Sequence, residues 1–95
     1  MRWMETIRLQ IADGNRNKLE QTLAEIVQDA CEGNVIEMKR YRHATVKSDW
    51  MILLRWESDG VEPQGSQTGR CLAHLLKSSA LVSHSVWVEE WESVD

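Results

Sequence analysis

Phenylalanine is absent from this 95-residue chain, proline occurs once, and there are only two cysteines. Cys31 and Cys71 are far apart and make no Cys-x-x-Cys pair. With no apolar secretory core in Met1-Arg2-Trp3-Met4-Glu5, free thiols are expected rather than a disulfide framework. Both cysteines fall on predicted helices, where the residue acts as a small buried hydrophobe. No window reaches the ~18 consecutive apolar residues of a membrane span, so no membrane partner is expected and the expected location is cytoplasmic. An excess of basic charge is missing too. The formal net charge of −4 argues against nucleic acid, which demands a concentrated cationic surface. The one basic run, Lys39-Arg40-Tyr41-Arg42-His43, lies on a predicted strand, where successive side chains divide between two surfaces. Gly60 and Gly65-Ser66 do not form a phosphate loop, and no serine or cysteine sits in a nucleophile elbow. Internal repeats and low-complexity tracts are also lacking.

What is present reads as a globular chain, 42% apolar and 27% charged. Its length fits a single domain over residues 1–95 with a modest core. Ile7, Leu9 and Ile11 alternate with Thr6, Arg8 and Gln10, which predicts a strand over Met4 to Ala12. Asp13-Gly14-Asn15 signals a turn. Leu19, Leu23, Ile26, Val27 and Ala30 then recur at helical spacing, with Asn17 and Glu20 as a capping box and Gly33-Asn34 as the stop. A second strand is predicted over Val35 to Ala44, with Ile36 and Met38 on one face and Val35 and Tyr41 on the other. Lys47-Ser48-Asp49 connects it to a third strand, Asp49 to Glu57. There Trp50, Ile52, Leu54 and Trp56 share a face, and Met51 and Leu53 are apolar on the opposite one, the pattern of a central strand covered twice. Asp59 to Gly65 is a loop. Ser66 caps a second helix reaching about Ser79, with Leu72, Leu75 and Leu76 buried and Cys71 beside them. Val82 to Trp91 is the last strand, with Val82, Val86 and Val88 opposite Trp87 and Trp91.

The order β-α-β-β-α-β is the ferredoxin-like split βαβ unit, an α+β fold. Right-handed crossovers put both helices on one face of an antiparallel sheet of order 4-1-3-2. The helices are expected on Ile7, Leu9 and Ile11. The other face then carries Thr6, Arg8 and Gln10, with Arg55, Glu57, Met51, Leu53, Trp87 and Trp91. Such a patch is a liability on a monomer, and a second copy set sheet against sheet is the simplest remedy. Arg8 in its middle is expected to meet a partner carboxylate, a wet cavity or a ligand.

The element order, the strand ending Leu54-Arg55-Trp56-Glu57-Ser58 and the pair His74-Leu75 in the following helix resemble the antibiotic-biosynthesis-monooxygenase-like superfamily. The resemblance implies a dimeric α+β barrel made of two ferredoxin-like sheets. It also implies a small aromatic ligand held between sheet and helices or within the barrel. The activity it implies is cofactor-independent oxidation of phenolic or quinol-type molecules. Haem-degrading members use an Asn on the first strand and a His on the second helical segment. Here the first strand has no Asn, Gln10 being the nearest substitute. His74, two residues on from Leu72, is turned about 200° around the helix, away from the buried stripe.

Chemistry of this kind needs a base, donors for an enolate and a dry aromatic pocket. Arg8, Gln10, Tyr41, Trp56 and His84 are the right residue types, and Trp87 adds an indole on the uncovered face. His84 interrupts the Val82, Val86, Val88 row on the helix-facing side, and imidazole as a class suits general-base work. The plainer alternative is a core or rim histidine with one hydrogen bond. Trp56 can stack on an aromatic substrate, or it closes the core row of its strand. Five tryptophans fit either an indole-lined cavity or wide sheet packing. His43, His74 and His84 lie on different elements, so a metal site has no local support. The expectation is catalysis by His84 and Arg8, with ligand contacts from Gln10, Tyr41, Trp56 and Trp87 and no cofactor. Two alternatives are a non-catalytic ligand-binding or assembly module of the same fold and a monomeric adaptor using the uncovered face.

Overall fold

The computed structural model describes residues 1–12, 14–30 and 35–90, with the backbone alone for 26–30. Its elements are β1 (Arg2–Ile11), α1 (Arg16–Ala30), β2 (Val35–Arg42), β3 (Asp49–Glu57), α2 (Gln67–Leu76) and β4 (Ala80–Val88). The strands form one sheet in the order β2-β3-β1-β4, with every neighbouring pair antiparallel. This is the ferredoxin-like arrangement expected from the order of elements. Among the described residues no helix is long and apolar enough to cross a membrane.

Period-two alternation builds the core. β1 contributes Trp3, Ile7 and Leu9, and β3 contributes Trp50, Ile52, Leu54 and Trp56. The helices add Leu19 and Leu23 from α1, and Leu72, Ala73 and Leu76 from α2. Each fully buried Leu or Ile is worth roughly 1.5–3 kcal/mol. Trp3 and Trp56 are register partners, and their rings stack with centroids 5.7 Å apart and planes 20° from parallel. Trp50 lies under two guanidinium groups, those of Arg16 at 5.6 Å and Arg40 at 4.9 Å from its centroid. Its indole N–H is buried without a hydrogen-bond partner among the described residues.

Several local readings are corrected. β1 begins at Arg2, two residues early, and so brings Trp3 into the core. α1 begins at Arg16, which leaves Asn17 inside the first turn rather than at the cap. A β-bulge between Val35 and Glu37 breaks the alternation of β2, because a bulge sets two residues against one and turns the chain over. Val35 therefore packs on the core together with Met38, and Ile36 is exposed. α2 is only ten residues long and buries Gly69, Leu72, Ala73 and Leu76. That narrow stripe leaves Leu75 and Cys71 exposed. The β2–β3 connection is organised by His43, whose Nδ1 accepts the backbone N–H groups of Thr45 at 3.1 Å and Val46 at 3.0 Å. β4 starts at Ala80, and Val88 is half-exposed at the sheet's end. Cys31, Gly33-Asn34 and Trp91 lie outside the described residues, as do the side chains of Ile26, Val27 and Ala30.

Candidate functional site

A lone acid interrupts the apolar row of the central strand. Glu5 is in phase with Trp3, Ile7 and Leu9, points toward the helices, and is 0% exposed. A buried carboxylate must find donors or it costs several kcal/mol, on the order of 3–5 when a pair is broken. Glu5 finds four. Its Oε1 accepts the Ser66 backbone N–H at 2.9 Å and faces His84 Nε2 at 2.9 Å. Its Oε2 accepts the Trp56 indole N–H at 2.7 Å and the Ser66 hydroxyl at 2.6 Å.

Register explains the convergence. Glu5 lies opposite Leu54 on β3 and Val86 on β4, so Trp56 and His84 are its diagonal neighbours on the same face. Ser66 arrives from above as the N-cap of α2, its hydroxyl also accepting the Gly69 N–H at 2.9 Å. The carboxylate thus sits at the positive end of a helix dipole. Gly65 has φ +96°, and a Cβ there would overlap the His84 ring; a Cβ at Gly69 would overlap the Glu5 carboxylate. Both glycines are needed for the loop and helix to close over this cluster.

The candidate residues divide between the two faces. His84 and Trp56 lie on the helix-covered face, joined through Glu5. The His84 side chain is 17% exposed, and no described residue hydrogen-bonds its Nδ1. Arg8, Gln10, Tyr41 and Trp87 lie on the open face, in register with Met51, Asp49, Met51 and Met4 respectively. The Trp87 indole N–H donates to Thr6 Oγ1 at 3.2 Å, and the residue is 55% exposed. Arg8 and His84 are therefore separated by the sheet itself and do not meet at one reacting atom within a chain. His74 is exposed on α2. Glu5 was missed from sequence. The signal was there, since the alternation Ile11, Leu9, Ile7 carried one step further lands on it.

The open face holds two shallow grooves. One of about 460 Å³ is lined by Met4, Ile36, Arg55 and Trp87 and reaches round the sheet's end to Trp3 and Trp56. A smaller one of about 260 Å³ lies beside Arg8, Gln10, Asp49, Leu81 and Ser83. A third groove, about 760 Å³, runs along β2 beneath α1 over Leu23, Val35, Met38 and Ile52. The charges of Glu37, Lys39 and Arg40 on β2 are paired. Glu37 binds Lys39 at 2.7 Å and Arg55 at 3.0 Å, and Arg40 binds Glu20 at 2.8 Å. Hydrogen bonds from Lys39 and then Arg55 hold the Glu37 carboxyl below its usual range, and Glu37 in turn raises Lys39. The basic run is split as expected, with Lys39 and Tyr41 on the open face and Arg40 on the other. Among the described residues no cluster of three His, Cys, Asp or Glu side chains is placed to hold a metal ion.

Several solved structures share this fold. A conserved protein from Methanosarcina mazei Go1 superposes with a TM-score of 0.77 at 10% identity, covering 95% of this chain and 94% of that one. SnoaB, a cofactor-independent oxygenase from Streptomyces nogalater, gives 0.70 at 10% identity, covering 96% and 95%. A proposed antibiotic biosynthesis monooxygenase from Caulobacter crescentus CB15 gives 0.68 at 10% identity, covering 96% and 91%. The chain shares its single-chain fold with these solved structures, among them a cofactor-independent oxygenase and a proposed antibiotic biosynthesis monooxygenase. No protein-family model matches the chain, and no curated protein matches it in sequence.

Proposed function

We propose that this chain is an oxygenase-type protein that deprotonates a small aromatic or quinol-type molecule for reaction with dioxygen, with His84 as the base. The observation that carries this reading is the contact between His84 Nε2 and buried Glu5 Oε1 at 2.9 Å. An imidazole held on one nitrogen and free on the other is the arrangement general-base catalysis uses. The substrate's proton passes to His84, and the electron pair it leaves stays on the substrate oxygen or carbon. The resulting anion is then able to give an electron to dioxygen. Likeness of fold to SnoaB supports the reaction class. Two copies of the chain would pair through their open faces, covering Met51, Leu53 and Trp87.

A second reading places the ligand on the open face. The groove beside Arg8 and Gln10 favours it, since a guanidinium there faces a space that a second copy would close. Tyr41 and Trp87 then serve as the aromatic walls. In a third, non-catalytic reading the same face serves only for pairing.

Oxygen uptake with a panel of hydroquinones separates the three, using wild type, His84→Ala and Arg8→Ala. Loss of about a hundredfold or more in His84→Ala alone is the expected result. Loss confined to Arg8→Ala moves the chemistry to the open face. Equal rates in all three proteins leave neither residue catalytic and favour the binding module.

A further inference from the structure

We infer that Glu5 is a positioning residue that locks the His84 ring as the Nε2–H tautomer and thereby makes Nδ1 the basic atom. The inference rests on the reading of His84 as the base, and it adds which nitrogen acts and what selects it.

Hydrogen-bond accounting leads there. With Glu5 taken as the carboxylate, it only accepts, with about four lone-pair sites. All four sites of Glu5 are addressed. The Ser66 amide and the Trp56 indole can only donate. The Ser66 hydroxyl takes the Gly69 N–H as an acceptor, which leaves its single hydrogen for Glu5 Oε2. The set is complete without conflict when the fourth partner, His84 Nε2, also carries a hydrogen. A neutral imidazole with hydrogen on Nε2 keeps its lone pair on Nδ1. The same logic underlies the orienting carboxylate of hydrolase triads, where the acid fixes tautomer and ring direction and stabilises the imidazolium.

The surroundings hold Glu5 still. Its carboxylate is fastened to β3 through Trp56, to the first turn of α2 through Ser66, and to β4 through His84. Gly65 and Gly69 clear the volume that ring and carboxylate occupy. When Nδ1 takes a proton from the substrate, the positive ring that forms already faces the Glu5 carboxylate, and no group has to reorient.

The test is a long-range proton–nitrogen NMR spectrum of the uniformly nitrogen-15-labelled full chain, reading both ring nitrogens of His84. Wild type should show the Nε2–H pattern in its neutral form. Glu5→Gln should lose that pattern, since an amide presents a donor as well as an acceptor. Its kcat should fall by about a hundredfold with KM little changed. Ser66→Ala removes a cap and one Glu5 contact but not the His84 contact, so it should lose stability and keep the tautomer. An Nδ1–H tautomer or an even mixture in wild type overturns the inference, and this result does not depend on any variant folding. An unchanged tautomer in folded Glu5→Gln overturns it as well. If wild type shows Nε2–H but consumes no oxygen with any hydroquinone, the hold of Glu5 on His84 stands and the oxygenase reading falls.

Discussion

The two faces of the sheet solve the same problem differently. On the helix-covered face the central strands β1 and β3 send inward rows of apolar side chains, and the one acid among them meets three donors and a histidine ring nitrogen. On the open face Arg8, Gln10 and Glu57 alternate with Met4, Met51, Leu53 and Trp87, and no described part of the chain covers them. The first face is finished within one molecule. The second carries too much Trp, Leu and Met to be left to water and too much charge to be a dry core. The difference teaches that a buried polar group and an exposed apolar one are separate signals. The first marks chemistry or specificity held in place, and the second marks a surface awaiting something to cover it.

The largest way to break the contrast is to remove the acid. Glu5→Leu leaves the Trp56 and Ser66 donors and His84 without their acceptor, and urea unfolding should report a loss of about 3–5 kcal/mol. A cost no larger than that of an average surface substitution would mean that the cluster holds nothing together. Gly69→Ala comes next. Its new methyl group collides with the Glu5 carboxylate, and overpacking of this kind costs about 1–3 kcal/mol. Wild-type stability in that variant would show that the helix can lift away freely.

The open face should behave in the opposite way. Leu53→Glu places a charge in the middle of the open face, opposite Thr6 of β1. It should change the stability of one chain by less than about 1 kcal/mol while preventing two chains from pairing, as read by light scattering. A variant that stays paired would show that the copies meet elsewhere.

The smallest expected effect is electrostatic. Glu37 is held below its ordinary 4.5 by the hydrogen bonds from Lys39 and Arg55, so its contribution is present above that value and fades as pH falls through the lowered one. Lys39 is raised above 10.5 by Glu37, so its share is present below 10.5 and is lost as pH rises through the raised value. The difference in thermal midpoint between wild type and Glu37→Gln should be small at neutral pH, as for other solvent-exposed pairs. It should vanish at low pH and only shrink at high pH, where Arg55 keeps its charge beside Glu37. A gap that persists at low pH would show that Glu37 acts through packing.

Much of this frame was legible in the residues. Alternation placed Asp49 to Glu57 as a strand and set Ile7 and Leu9 on one face, while the order of elements and the right-handed crossover gave the order of the sheet. Ser66 was readable as a helix cap. Other features were hidden for identifiable reasons. The bulge at Val35 and Glu37 inverts a pattern whose whole information lies in its period. Leu75 and Cys71 sit at the margin of a short helix, where spacing alone leaves burial undecided. Glu5 stood in an apolar row, but its partners come from positions 51, 61 and 79 residues away. No local pattern announces a hydrogen-bond set assembled from three other elements. The stretch Arg55-Trp56-Glu57-Ser58 has a physical role beyond resemblance. Trp56 donates to Glu5, and Ser58 Oγ accepts the Trp3 indole N–H at 2.9 Å.

In the proposed pairing, one face of the sheet is complete within a single chain and the other is completed by a second copy. Sedimentation equilibrium of the wild-type chain at micromolar concentration tests this most directly. The predicted result is a species of twice the mass of one chain, reduced to one mass by Leu53→Glu. A wild-type chain that remains strictly monomeric at that concentration would contradict it.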